Sequence, residues 1–101
     1  LASEDALTCS MLHLAHPNWS RALISFTKSG GYNFLSNRIK DILQPTLIVW
    51  GEQDKILGTK DAQRFKTTIA NSQLVWIPES GHVPHLEKPD LTGEAIRTFL
   101  A

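Results

Sequence analysis

Thr46-Leu47-Ile48-Val49-Trp50 is a continuous β-branched and aromatic run, bounded by Pro45 and Gly51. Such a run suits a strand buried on both faces, as in a parallel sheet, because a half-exposed strand would alternate apolar with polar residues. Gln73-Leu74-Val75-Trp76-Ile77 has the same character and stops at Pro78. Between the two, Thr59 is placed to cap a helix through Ala70, with Ala62, Phe65 and Ile69 on one face and Asn71 and Ser72 breaking it. A last helix starts with Pro89 at its first position and runs through Leu91, Ala95, Ile96, Phe99 and Leu100. This order predicts an α/β fold: a strand–helix–strand–helix unit whose two parallel strands are joined by a right-handed crossover.

The residues upstream read as helices. Ser3 is a plausible N-cap for a helix to His16, with Glu4 and Asp5 at the positive end of its dipole and Leu7, Met11 and Leu14 on one stripe. Pro17 closes that helix and fits the first position of a second one, which reaches Lys28 with Trp19, Ala22, Leu23 and Phe26 on its apolar face. Ser29-Gly30-Gly31 stops it, since glycine accepts the left-handed conformation of a helix C-terminus. Tyr32 to Ser36 reads as a loop, and Ser36 as the cap of a short helix carrying Ile39, Ile42 and Leu43, ended by Pro45. No internal repeat or low-complexity stretch interrupts this pattern.

Composition narrows the functional classes. The 101 residues carry ten basic and ten acidic side chains, for a formal net charge of zero. A nucleic-acid binder normally needs an excess of Lys and Arg, and a basic membrane-surface module likewise, so neither is expected. The single cysteine excludes an internal disulfide framework, and no C-x-x-C suggests a zinc ribbon. No apolar run approaches the roughly 20 residues that span a bilayer, so no membrane span is expected. The chain starts at Leu1 without a signal-peptide pattern, which reads as a segment of a longer protein. Its compartment is unknown from the residues, with a soluble protein of the cytoplasm or plastid as the expectation.

In open α/β sheets, function collects beyond the carboxyl ends of the strands. After the first strand stands Gly51-Glu52-Gln53-Asp54, and after the second Pro78-Glu79-Ser80-Gly81-His82. Asp54 and His82 are 28 positions apart, yet parallel strands joined by one helix bring their ends to one edge. A carboxylate beside a histidine accepts the Nδ1 proton, sets the tautomer, and stabilises the imidazolium formed when Nε2 takes a proton. Gly51 and Gly81 fit the tight turns that would aim the two side chains together.

The stretches PTLIVWGEQDKIL (Pro45 to Leu57) and IPESGHVPHLEKPD (Ile77 to Asp90) resemble the C-terminal part of the α/β-hydrolase fold superfamily. The family's triad order is nucleophile, acid, histidine. The resemblance implies that Asp54, after the seventh strand, is the acid and His82, after the eighth, is the histidine. It also implies that residues 45–101 are the end of the hydrolase core. PNWSRALISFTKSGGY, from Pro17 to Tyr32, resembles the end of the cap inserted before the seventh strand, so residues 1–44 are expected to be cap and linker. That stretch is similar to a subgroup of uncharacterised hydrolases from photosynthetic organisms. The chain departs from the family in two respects. Leu57-Gly58 stands where many relatives carry a proline after the acid, and there is no G-x-S-x-G nucleophile elbow or Cys or Asp equivalent.

The implied protein is a hydrolase of small esters, its acid and histidine supplied here and its nucleophile and oxyanion hole elsewhere. The alternatives are epoxide or haloalkane hydrolysis with an Asp nucleophile, or a non-catalytic binding protein or assembly subunit. The single tyrosine, Tyr32, does not supply the pair of cap tyrosines of epoxide hydrolases and favours the esterase-like reading. The chain alone is expected to be inactive and to need the N-terminal part of the hydrolase, or a partner chain, to complete its sheet. Its substrate is expected to be a small molecule, with no cofactor. Ile56 and Val83, beside the acid and the histidine, are candidate substrate contacts.

Other residues are read as structural. Cys9, His13 and His16 share a helical spacing that could hold zinc, but a cap helix with no second shell explains them, and no metal is expected. Cys9 lacks the strained strand-to-helix turn of a nucleophile, His85 reads as a structural histidine, and Ser80 as turn chemistry. Trp19, Phe26, Trp50 and Trp76 read chiefly as core residues.

Overall fold

The computed structural model describes residues 3–31 and 37–101, in two compact units, Leu1–Ser36 and Asn37–Ala101. In the first unit, helix α1 spans Glu4–Met11 and is capped by Ser3, whose Oγ accepts the Ala6 amide at 3.1 Å. The helix stops earlier than its apolar stripe predicts. It tightens into a 3₁₀ turn over Leu12–Ala15, and His16 is extended (ψ 130°), because the proline ring that follows disfavours the helical region.

Helix α2 spans Trp19–Lys28, so Pro17 is not its first residue as the sequence suggests. Instead the Trp19 amide bonds the His16 carbonyl at 3.1 Å, making Pro17 the second residue of a turn, a position its fixed φ suits. Gly30 (φ 105°) and Gly31 (φ 56°) end the helix in the left-handed region, as expected. Leu7, Met11 and Leu14 are 55–61% exposed rather than buried. Two short helices enclose too little volume to take a side chain fully out of water. The Tyr32–Ser36 loop and the Ser36 cap lie outside the described residues.

The second unit carries the α/β motif. A single 3₁₀ turn, Ile39–Asp41, replaces the expected short helix, and Ile42 is already extended (ψ 115°) on the way to Pro45. Strand β1 (Thr46–Gly51) leads through helix α3 (Lys60–Thr68) to strand β2 (Ser72–Ile77), and the strands pair in parallel from Thr46–Ser72 to Gly51–Ile77. Ile48, Ala62, Ile69 and Ile77 form the buried apolar core, while the other side chains of the strand pair are mostly half-buried.

Thr59 is the N-cap residue of α3, as read, though its side chain makes no capping bond. Ser72 belongs to β2 rather than breaking the chain before it. It is buried, and its hydroxyl donates to the carbonyls of Ile69 (2.7 Å) and Lys66 (3.2 Å), satisfying acceptors that the end of α3 leaves open.

After β2 the sequence suggests one helix, but there are two. Helix α4 (Pro84–Glu87) precedes α5 (Pro89–Leu100), and both begin with a proline at a first-turn position. Lys88 (φ −137°, ψ 65°) stands between them because the residue before Pro89 is excluded from the helical region. Buried Thr92 ties the two helices together, its hydroxyl donating to the Pro84 carbonyl at 3.0 Å.

What brings the two loops together is the path of the chain past Gly51. The strand ladder runs on beyond β1 and β2: the Glu52 amide donates to the Ile77 carbonyl at 3.0 Å and the Gln53 amide to the Ser80 carbonyl at 2.8 Å. A Cβ on Gly51 would collide with the carbonyl oxygens of Gly81 and Ser80 and lie 2.8 Å from the Ser80 carbonyl carbon. Glycine is needed here for close approach, not for a left-handed turn. The left-handed residue of the histidine loop is Glu79 (φ 52°), not Gly81.

Gly51→Ala is therefore expected to lower stability by roughly 3 kcal/mol, the upper end of overpacking costs. Gly58→Ala, which meets open space and suffers only from its left-handed φ, should cost about 1 kcal/mol. Urea denaturation of both variants checks the order, and equal midpoints would remove the close-approach explanation.

Candidate active site

The site is built from the two loops that leave the sheet at one edge. Asp54 sits three residues beyond β1, with its amide on the Gly51 carbonyl at 3.3 Å. Its side chain is 5% exposed. The two carboxylate oxygens have separate partners. Oδ1 accepts the backbone amides of Ile56 (2.9 Å) and Leu57 (3.0 Å), which fixes the plane of the group. Oδ2 faces His82 Nδ1 at 3.1 Å.

The amide of Leu57 is the largest influence holding the Asp54 carboxyl below its ordinary value of 3.8. Partial burial pushes the other way, and the His82 imidazole and the Ile56 amide add to the lowering. An ionised carboxylate only accepts hydrogen bonds, so Nδ1 must carry the proton facing Oδ2. In the neutral form of the ring, that leaves Nε2 with the lone pair; the side chain is 42% exposed.

The acid loop is held from behind by a side chain of β1. The Trp50 indole donates from Nε1 to the Gly58 carbonyl at 2.8 Å, and Gly58 turns in the left-handed region (φ 73°). The indole also lies against Phe65 of α3, with ring centroids 6.1 Å apart. Trp50, read as a core residue, is half-buried instead, and serves as the clasp of the loop that carries Asp54.

On the other side, the histidine loop is anchored by Glu87, which the sequence reading did not single out. Its Oε2 accepts the Gly81 amide at 2.9 Å. Longer contacts join the same oxygen to the Val83 amide (3.4 Å) and the Ser80 hydroxyl (3.5 Å). The available signal was a carboxylate a few residues after the histidine, ahead of Lys88-Pro89. Spacing alone could not tell that it turns back.

Ser80 is 1% exposed and serves the turn, as read. Ile56 is 73% exposed and Val83 is 36% exposed, each beside its site residue in sequence. His85 lies exposed on α4. In the first unit, His13 packs at a tilt against Trp19 with centroids 4.2 Å apart, His16 Nδ1 accepts the Asn18 amide at 3.1 Å, and Cys9 is exposed. An apolar groove between β2 and α5, lined by Val75, Ile77, Leu91 and Phe99 among others, contains neither Asp54 nor His82.

The chain that carries this arrangement matches known proteins over most of its length. The sequence family described as the alpha/beta hydrolase fold matches residues 14–89. The chain belongs to this family. It is 41% identical over 95 residues to the alpha/beta hydrolase domain-containing protein VTE7 of Arabidopsis thaliana, covering 94% of this chain and 28% of that protein. It is 33% identical over 92 residues to human monoacylglycerol lipase ABHD6, covering 89% of this chain and 27% of that one.

Among solved structures, a serine hydrolase involved in carbazole degradation, the CarC enzyme, superposes with a TM-score of 0.74 at 28% identity. The superposition covers 98% of this chain and 40% of that one. The chain thus spans under a third of the length of these curated relatives, and its fold is the α/β-hydrolase fold. Among the described residues, no helix is long and apolar enough to cross a membrane.

The lowered carboxyl of Asp54 carries a sign for stability. A group whose folded pKa is depressed stabilises the fold above its unfolded value, and that contribution fades as the pH falls through the folded one. Wild type should exceed Asp54→Asn in urea midpoint at about pH 7 and lose that advantage progressively as the pH falls below the ordinary 3.8. A pH-independent gap between the two proteins would show that the charge of Asp54 is not what matters.

Proposed function

We propose that His82 is the general base and Asp54 its orienting acid in a nucleophile–His–Asp triad that hydrolyses small esters. The observation that carries this reading is the Nδ1–Oδ2 approach of 3.1 Å, with the other carboxylate oxygen already committed to backbone amides. That division leaves Asp54 one free acceptor, aimed at the imidazole, and leaves Nε2 as the proton acceptor.

In the proposed reaction, Nε2 takes the hydroxyl proton of a serine as the serine oxygen bonds to the ester carbonyl carbon. The imidazolium formed, stabilised by Asp54, returns the proton to the departing alcohol as the ester C–O bond breaks. Water then attacks the acyl-enzyme with the same histidine as base, releasing the acid and the free serine. The serine and the oxyanion donors come from outside these 101 residues, which hold no G-x-S-x-G. The lipase and serine-hydrolase names of the human relative and the structural neighbour favour a serine nucleophile and an ester substrate.

On this reading, Ile56 and Val83 line the entrance to the reacting centre as exposed apolar contacts. Residues 1–44 are the end of a helical cap with its linker, and residues 45–101 the end of the core. The rest of a hydrolase sheet, or a partner chain, pairs with the edge that the two strands leave open.

In the full-length polypeptide, His82→Ala is expected to lower kcat for p-nitrophenyl butyrate roughly 1,000-fold. The circular dichroism spectrum should be unchanged, since the side chain is 42% exposed. Turnover retained at about a tenth of wild type or more would remove His82 from the mechanism.

A further inference from the structure

We propose that Glu87 is a positioning residue for His82: its carboxylate takes the backbone amides on both sides of the histidine and so sets where the imidazole stands opposite Asp54. The inference rests on the reading of His82 as the general base.

The histidine lies on a stretch with no regular structure, between the end of β2 at Ile77 and the start of α4 at Pro84. Its direction is not imposed by a helix or a ladder, so it must come from discrete bonds. Upstream, the Ser80 carbonyl is held by the Gln53 amide at 2.8 Å, which ties the loop to the acid loop. Immediately before and after His82, the amides of Gly81 and Val83 both point to Glu87 Oε2, at 2.9 and 3.4 Å. The Ser80 hydroxyl reaches the same oxygen at 3.5 Å. One oxygen therefore brackets the histidine.

Glu87 can do this because α4 is a single short turn, and the following residue, Lys88, leaves the helix ahead of Pro89. Its side chain turns back over the start of its own helix, with Gly81 close enough that a Cβ there would stand 3.4 Å from both carboxylate oxygens. Lys88 Nζ is 3.7 Å from Glu79 and braces the left-handed residue at the other side of the loop. Because all three contacts fall on one oxygen, the requirement is for a single acceptor at the right reach. Gln keeps that acceptor, Leu lacks it, and Asp is one methylene too short.

The test reads the imidazole directly. In ¹⁵N-histidine-labelled protein, the ring nitrogen shifts of His82 report which nitrogen carries the proton when the ring is neutral. Wild type and Glu87→Gln should hold His82 in the Nδ1–H form. Glu87→Leu should move it toward the mixture of a free imidazole, and Glu87→Asp should do the same if the Leu variant does not fold. In the full-length polypeptide, kcat for p-nitrophenyl butyrate should fall about tenfold in Glu87→Asp and Glu87→Leu, with KM little changed, and be largely kept in Glu87→Gln. A full 1 Å misplacement would cost ~100-fold.

Asp54→Asn separates the two levels of the reading. If it leaves the His82 tautomer unchanged, the Asp54–His82 pairing itself is wrong. If it shifts the tautomer while Glu87→Leu and Glu87→Asp both leave it in the Nδ1–H form, only the role of Glu87 is overturned. A Glu87→Gln variant that behaves like Glu87→Leu would also overturn it, because then one acceptor oxygen is not what the loop needs.

Discussion

Two backbones crossing at Gly51 hold this structure to its purpose. The chain beyond β1 passes so close to the carbonyls of Ser80 and Gly81 that no side chain fits between them. That closeness lets the Gln53 amide reach the Ser80 carbonyl and extends the parallel ladder past the last paired residues. The side chains that follow, Asp54 and His82, are then delivered to the same place by main-chain geometry rather than by their own attraction. This order of causes matters energetically. A single hydrogen bond from an imidazole that is 42% exposed contributes little to stability by itself, so a site that depended on that bond to form would be loosely built.

Around that crossing, each loop is pinned by a different chemistry. The acid loop is closed from within, by Asp54 Oδ1 on the amides of Ile56 and Leu57, and from behind, by the Trp50 indole on the Gly58 carbonyl. The amides that orient the carboxylate also keep it ionised, so geometry and charge have one source. The histidine loop is pinned by Glu87 at the amides of Gly81 and Val83, and by the Thr92 hydroxyl on the Pro84 carbonyl one turn further on. Preorganised first contacts backed by a supporting set are what a proton-transfer site requires, since the support removes motion that the reaction would otherwise have to arrest.

The apolar surface fits a chain that spans under a third of its curated relatives' lengths. Apart from Pro84 and Gly51, the buried apolar residues among those described are Ile48, Ala62, Ile69 and Ile77, whereas Leu43 and Leu100 are each 75% exposed. The strand pair was expected to be buried on both faces, and most of its side chains are half-covered instead. Continuous apolar strands of this kind belong to sheets clothed on both sides. The local site nevertheless needs none of that additional cover, because every bond described around Asp54 and His82 is made within residues 50–92.

Legible in the residues alone were the two strands, the crossover helix between them, the terminal helix at Pro89, and that the loops of Asp54 and His82 end on one edge. These follow from short-range properties: β-branched runs, helical periodicity, and the rule that parallel strands end on one edge. The same reading misjudged Pro17, which sits in a turn, and the reach of α1, which gives way to a 3₁₀ turn after Met11 instead of running to His16. Only the tertiary structure decided that Gly51 is a crossing rather than a turn, that Glu79 and not Gly81 takes the left-handed conformation, and that Glu87 folds back on the histidine loop. The physical reason is common to all three. Close approach, backbone direction and the choice of hydrogen-bond acceptor depend on where distant parts of the chain arrive, and residue type alone does not encode that arrival.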